Sequence, residues 1–415
     1  MVLEAREAFH RYANFGRAGY LLGAVDFARN RLREASSQVL MRSGTGDIVT
    51  GLDQTVHHAI IDYFQSLGVS ALVLGEEGNS VSSNPEFAIL LDPIDGSQNS
   101  INGLDYGINA AIAEYHSRLR VSDLDVAVVT NFKTGTFFVG ERGKGAYKVK
   151  DGKREELVHK KSDLYELPSP KAYTVKPDQE RRQELLATIF AKVLGNQPRS
   201  VDATGARLVE VADSNLRAYG DWRNATKCWD VLPSALILKE AGYVLSDVLG
   251  FNLSSAIFYE EARQGGLNRR VGENFITTTS NDYQILLFGE SSDNGELDKR
   301  NLWDLCVGRS FSIWDKFLHE AIASGKIEPP RYLFGRQKSQ SDGSFEFVRF
   351  GQMFGEFLVS VVEDKRKTYL ELDESQVKDL LLQIRNKYVD CIPSTQFPGG
   401  RPLHLVAFDE VVQSR

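Results

Sequence analysis

Asp92-Pro93-Ile94-Asp95-Gly96-Ser97 brings two carboxylates three positions apart to the end of an apolar run, Phe87-Ala88-Ile89-Leu90-Leu91. Pro93 stiffens the turn between the two acids. Gly96 lets backbone come close to a ligand. Gly96 and Ser97 can open a helix whose free N–H groups face a phosphate. Glu76 ends a second apolar run, Ala71-Leu72-Val73-Leu74-Gly75, and Asp230 follows Trp229 near the start of a later helical stretch. Each fragment has a plain reading when taken singly. Asp-Pro is ordinarily a turn, Gly75-Glu76-Glu77 a solvated loop, and Asp230 a helix cap. Together they place four carboxylates at element ends. Each like-charged pair at about 4 Å costs on the order of 4 kcal/mol at an effective dielectric near 20. Such a cluster needs cations, and an all-oxygen set favours Mg²⁺, Mn²⁺ or Ca²⁺ over zinc.

The elements that must position these residues follow from pattern. The two apolar runs read as strands covered on both faces. Residues 2 to about 40 are expected to be helical, with Leu21, Ala24, Val25, Ala28 and Leu32 on one face. Ser43-Gly44-Thr45-Gly46-Asp47 breaks that pattern. A helix after Asp53 turns His57, Ile60, Ile61 and Phe64 inward. Residues 126–129 and 136–139 form a hairpin around Thr134-Gly135. A helix spans about 206–217, a strand leads through Ala218-Tyr219 to Asp221, and another helix begins after Asp230. Pro233 then falls in its first turn, where no N–H is missed, and Gly242 stops it. Residues 275–279 make the last strand of this unit.

From about residue 292 the pattern changes. Phe345, Phe347 and Phe350 mark a strand. Val377, Leu380, Leu381, Ile384 and Tyr388 mark an amphipathic helix capped by Asp373 and Gln376. Two regions are expected, a catalytic region over 1–291 and an α+β module over 292–415 that carries no motif.

The motifs resemble the three signatures of the inositol monophosphatase and fructose-1,6-bisphosphatase superfamily: Gly75-Glu76-Glu77, Asp92 to Ser97, and Trp229-Asp230 with Glu240-Ala241-Gly242. Asp47-Ile48-Val49-Thr50-Gly51-Leu52-Asp53-Gln54 resembles a fourth family segment. The likeness covers roughly residues 1–290 and implies an α/β fold, a layered αβαβα sandwich. It also implies Mg²⁺ as cofactor, two to three ions per site with Mn²⁺ able to substitute. Glu76, Asp92 and the Ile94 carbonyl would hold the first ion, and Asp92, Asp95 and Asp230 the second. Asp53 would orient Ser97 and, with Glu76, complete the catalytic set. Gly96, Ser97, Thr204, Gly205 and Asp230 would contact substrate. Homo-oligomers and inhibition by Li⁺ are further family traits.

The expected activity is Mg²⁺-dependent hydrolysis of a small phosphorylated polyol or sugar, inositol monophosphate or fructose 1,6-bisphosphate, by water activated at the metals. Arg223 stands where animal inositol-specific members carry Glu; it would reach a second phosphate, or else pair with Asp221 at the surface. Arg207 replaces a small residue and by default is a solvated charge. Two other readings stay open: a 3′-phosphoadenosine nucleotide phosphatase, and a non-catalytic regulator that binds metal or phosphometabolite.

Bulk composition sets the outer limits. The 415 residues carry a net charge of -7, which argues against a nucleic-acid partner. No run approaches the roughly 18 apolar residues of a membrane span. The N-terminus lacks the apolar core of a signal peptide, so the chain reads as cytoplasmic. Three widely spaced cysteines indicate neither disulfides nor zinc. Cys228 reads as packing, and His57-His58 as structural rather than metal-binding.

Overall fold

The computed structural model describes residues 1–32, 39–42, 48–102, 104–157, 165–166, 203–221, 226–247, 253, 257–260 and 275–278, with positions 373, 375, 376, 378, 379 and 382 near the C-terminus. The chain divides into two compact units, Met1–Tyr283 and Gln284–Arg415.

The first unit is built on an eight-stranded mixed sheet. In chain order the strands needed here are β3 (Ala71–Gly75), β4 (Gly78–Val81), β5 (Phe87–Asp95), β6 (Gly107–Glu114), β8 (Leu124–Asn131), β9 (Thr136–Glu141), β10 (Gly145–Lys150) and β11 (Lys153–Glu156). They lie in the order β11-β10-β9-β8-β6-β5-β3-β4. Within this sheet only β3 and β5 pair in parallel, Ala71 to Gly75 against Phe87 to Leu91. Both are buried on two faces, which explains their unbroken apolar runs.

One face of the sheet is covered by α1 (Val2–Tyr12), α2 (Arg17–Leu32) and α3 (Gly51–Ser66). Leu21, Ala24, Val25, Ala28, Val56 and Ile60 there meet Val73, Ile89, Leu91, Val126 and Val128. The alternate strand residues Leu72, Leu74, Ala88, Leu90, Ala111 and Ala127 are equally buried. They face the other way, toward α5 (Thr204–Ala212) and α6 (Cys228–Glu240). Beyond these helices lies a four-stranded sheet of β12 (Tyr165–Glu166), β13 (Ala218–Asp221), β14 (Val244–Asp247) and β16 (Phe275–Thr278), in contact with α5 and α6, while β7 (Arg118–Arg120) and β15 (Ile257–Glu260) form a separate antiparallel pair. The described residues therefore form an α/β/α/β stack of the expected layered class.

Several boundaries differ from expectation. The N-terminal helical stretch is two helices, parted by a 3₁₀ turn at Ala13–Phe15 and by Gly16 at φ 57°. Gly19 then lets α2 pass under α1, since a Cβ there would sit 2.2 Å from the Tyr12 carbonyl oxygen. The described part of α2 runs to Leu32, and in place of a helix reaching to about 40 residues Val39–Arg42 form β1, paired antiparallel with β2, Ile48–Thr50. The helix expected over 206–217 is the shorter α5, and the one expected after Asp53 starts at Gly51.

α6 likewise starts two residues before Asp230. The Lys227 N–H donates to Asp230 Oδ2 at 2.8 Å, so Asp230 is the third helical residue and not the cap. Pro233 consequently lies inside the helix, where the Trp229 carbonyl forgoes its usual N–H donor. The far end matches expectation. Gly242 is left-handed at φ 83°, and the Gly242 and Tyr243 N–H groups donate to the carbonyls of Lys239 and Leu238, a Schellman ending. Glu240 Oε2 accepts from the Gly143 and Gly145 N–H groups and so ties α6 to the β9–β10 turn.

In the second unit, Asp373 and Gln376 cap a helix reciprocally, each backbone N–H donating to the other's side chain at 2.9 Å. The expected strand around Phe345 and the expected apolar helix positions Val377, Leu380, Leu381, Ile384 and Tyr388 lie outside the described residues.

Candidate active site

The site forms at the C-terminal ends of the two parallel strands. Strand β3 turns directly into β4 through Glu76 and Glu77. Gly75 packs so closely that an added Cβ would lie 2.8 Å from the Leu91 carbonyl oxygen, which brings Glu76 beside the end of β5.

Local geometry in β5 explains the spacing of its acids. Residues three apart on a regular strand point to opposite faces. Opposite β6, Asp92 pairs with Asn109 but Asp95 pairs with Gly107, so β5 holds one residue more than its partner. This bulge returns Asp95 to the face that carries Asp92. Pro93 fits there because a bulge relieves it of a ladder hydrogen bond.

Asp95 is buried, and its Oδ2 accepts from the Ala206 N–H at 2.9 Å. The residue before α5, Ala203, is left-handed at φ 87° and offers no capping side chain. Asp95 therefore does from the sheet what a helix cap does locally. Gly96, at φ 91°, faces Ala203, where a Cβ would come within 2.9 Å. The two segments expected to touch substrate, 96–97 and 204–205, thus meet at the first turn of α5. Thr204 itself is buried with its hydroxyl 3.4 Å from Tyr219 Oη, and the Gly205 carbonyl accepts from Ser234 Oγ at 3.0 Å.

Ser97 opens α4 (Ser97–Ile101), and its Oγ lies 3.2 Å from Asp53 Oδ1 and 3.2 Å from the Ile94 carbonyl oxygen. Asp53, from the first turn of α3, is 1% exposed. The layer beneath the sheet thereby reaches the site through one carboxylate.

Asp92 is the electrostatic centre. It is 2% exposed, and its Oδ1 has no hydrogen-bond partner among the described residues. Burial drives its carboxyl well above the usual range, and Glu76, Asp95, Asp230 and Asp53 add to the shift in that order. Glu77, half-buried beside them, is pushed up to about 7 by burial and then by Asp53. Among the described residues no group of three or more His, Cys, Asp or Glu side chains is gathered tightly enough to hold a metal ion as it stands. The donor chemistry nevertheless fits a hard divalent cation. An orphaned buried carboxylate oxygen is surrounded by acids whose mutual repulsion only protons or cations relieve, and every candidate ligand is oxygen.

The remaining residues singled out in sequence divide clearly. Arg223 lies outside the described residues. Its supposed surface partner Asp221 is 1% exposed and accepts from Thr226 Oγ1 at 3.0 Å, so Asp221 is no surface acid. Arg207 is not solvated either. It is buried and donates to Asp105 Oδ2 at 2.9 Å, replacing a small side chain by an ion pair that joins α5 to the loop before β6. Cys228 is buried and its thiol is pushed up to about 12, chiefly by burial, which fits packing and not nucleophilic attack. His57 is buried, and burial holds it below its ordinary value.

Asn109 was missed. It is fully buried in β6, and its Nδ2 lies 3.4 Å from both Asp92 Oδ2 and the Asp230 carbonyl oxygen. The available signal was one amide within the apolar stretch Gly107-Ile108-Asn109-Ala110-Ala111-Ile112.

The fold is a layered α/β stack with acids converging at the ends of two parallel strands, and comparison with known proteins gives its family. The chain belongs to the inositol monophosphatase family, whose family model matches residues 14–275. Over 238 residues it is 25% identical to a bifunctional NADP phosphatase/NAD kinase of Methanococcus maripaludis, covering 52% of this chain and 40% of that protein. It is 27% identical over 227 residues to a fructose-1,6-bisphosphatase/inositol-1-monophosphatase of Methanocaldococcus jannaschii, covering 53% and 80% respectively. The figures for human inositol monophosphatase 1 are 27% over 233 residues, 52% and 78%. These three relatives are named as phosphatases, enzymes that hydrolyse phosphate monoesters.

Proposed function

We propose that this protein is a Mg²⁺-dependent phosphomonoesterase acting on a small phosphorylated polyol or sugar, inositol monophosphate or fructose 1,6-bisphosphate. The observation that carries the reading is the orphaned Asp92 Oδ1, buried amid Glu76, Asp95, Asp230 and Asp53. Glu76, Asp92, Asp95, Asp230 and the Ile94 carbonyl would hold the ions. Bound there, Mg²⁺ supplies Lewis acidity toward phosphoryl oxygens and lowers the pKa of water.

The protein's own part is positioning. Asp53 takes the Ser97 hydroxyl hydrogen, which leaves the Ser97 lone pairs to accept from an incoming water and hold it in line. The N–H groups of Gly96 and Ser97 bind the phosphate. The first turn of α5, held by Asp95, sets the wall against which the alcohol part of the ester rests. Arg223 adds a positive charge for esters with a second phosphate.

A substrate panel with and without Mg²⁺ tests this: inositol 1-phosphate, fructose 1,6-bisphosphate, NADP and 3′-phosphoadenosine 5′-phosphate. Mg²⁺-dependent release of phosphate from the first two, abolished in Asp95→Asn, is the expected result. Preference for either nucleotide would move the substrate class, as the Methanococcus relative's name suggests for NADP. No release from any ester would leave a binding protein in place of an enzyme.

A further inference from the structure

Asn109 stands directly across from Asp92 in the antiparallel pairing of β5 with β6. Directly paired residues share a face of the sheet, so the carboxamide and the carboxylate are neighbours by register. The other nearby acceptor comes from a different layer, the backbone carbonyl of Asp230 in the first turn of α6. The Asp230 carbonyl can only accept, and so can Asp92 Oδ2 once its carboxylate is ionised, as it is when it faces a cation, so the NH₂ end is the one turned toward them. Its two hydrogens serve two partners 3.4 Å away, at the long end of the hydrogen-bond range.

Space for this amide comes from a third element. A Cβ on Gly205 would lie 2.2 Å from Asn109 Nδ2 and 2.5 Å from Oδ1. Asn109 Oδ1 has no hydrogen-bond partner among the described residues although Asn109 is fully buried. An unpaired buried acceptor costs stability, and a well-packed apolar residue would avoid that cost. The carboxamide therefore has a poor justification as packing and a good one as a spacer between two acids.

We infer that Asn109 is a positioning residue for the metal cage, setting the distance between Asp92 and Asp230 by donating to the carboxylate of one and the backbone of the other. This rests on the reading of that cage as a Mg²⁺ site. With Oδ2 of Asp92 engaged by the amide, Oδ1 is left to face the cation. Without the amide, Asp92 swings freely among like charges and the ligand geometry must be assembled at the moment of binding.

Calorimetric titration of the full-length chain with Mg²⁺ alone, alongside thermal unfolding in EDTA, tests the inference. Partners in the shell behind metal ligands commonly contribute 10- to 100-fold in affinity, so Asn109→Ala should weaken Mg²⁺ binding by about 10-fold or more. Asn109→Leu refills the volume and removes the orphaned oxygen; it should keep the metal-free melting temperature yet bind Mg²⁺ about as weakly as the alanine variant. That split is one that a packing role would not produce. Should the alanine variant fail to fold, the leucine variant decides alone. Mg²⁺ affinity equal to the parent's in a folded variant overturns the inference and leaves the site reading intact. Failure of the parent itself to bind Mg²⁺ overturns both.

Discussion

Ser97 has one hydroxyl hydrogen and faces two acceptors at 3.2 Å, the Asp53 carboxylate and the Ile94 carbonyl. A carboxylate is the stronger acceptor of the two when ionised, as beside bound cations, so Asp53 is expected to set the rotor. Removing the hydroxyl should therefore affect turnover more than binding. Ser97→Ala is expected to lower kcat by about 10²-fold with KM changed little, whereas Ser97→Thr keeps the hydroxyl and stays within a few-fold of the parent. Steady-state phosphate release on the best substrate of the panel checks both; an alanine variant as fast as the parent would remove Ser97 from the mechanism.

At the scale of elements, helix α6 presses on the sheet at a position that admits no side chain. A Cβ on Gly140 of β9 would lie 2.8 Å from the Ile237 Cα, and backbone cannot yield as a flexible side chain can. Gly140→Ala should cost about 1–3 kcal/mol of stability, read as a lower melting temperature. Since α6 also carries Asp230, Mg²⁺ affinity should fall in the same variant. A loss of stability with unchanged affinity would show that the start of α6 does not follow its middle. The acids are thus held by closely packed elements and not by loops of their own. Asp95 caps α5 from the sheet, Glu240 grips the β9–β10 turn, and the β5 bulge aligns two carboxylates.

For the molecule as a whole, the buried acids around Asp92 are a source of instability that the proposed Mg²⁺ would relieve. The native carboxyl of Glu77 sits near 7 against an ordinary 4.5, and that of Asp92 is raised too. Between those values the native state holds more protons than the unfolded chain, so stability must fall as pH rises from about 4.5 to 7. In EDTA the melting temperature should decline across that window from this contribution, and Glu77→Gln should soften the decline. Saturating Mg²⁺ should raise the curve most at the upper end of the window. At 100 times its dissociation constant, a ligand bound only by the native state adds about 2.7 kcal/mol. A melting temperature indifferent to Mg²⁺ at pH 7 would contradict a cation-dependent cage. Among the described residues no helix is long and apolar enough to cross a membrane.

The order of chemistry along the chain was legible without coordinates. Strand-then-acid at Glu76 and Asp92, the glycine ending at Gly242 and the Asp373–Gln376 cap are local patterns, set by neighbours within a few residues. Tertiary structure decided what depends on contacts between distant segments. A bulge is defined by its partner strand, so the alignment of Asp95 with Asp92 needed the register of β5 against β6. The burial of Arg207 needed Asp105, a hundred residues earlier in the chain. Asn109 gains meaning only where β5, β6, α5 and α6 meet, because its acceptors and the glycine that admits it come from three other elements. Spacing along a chain encodes which side chains an element presents; which of them face one another is settled when the layers close.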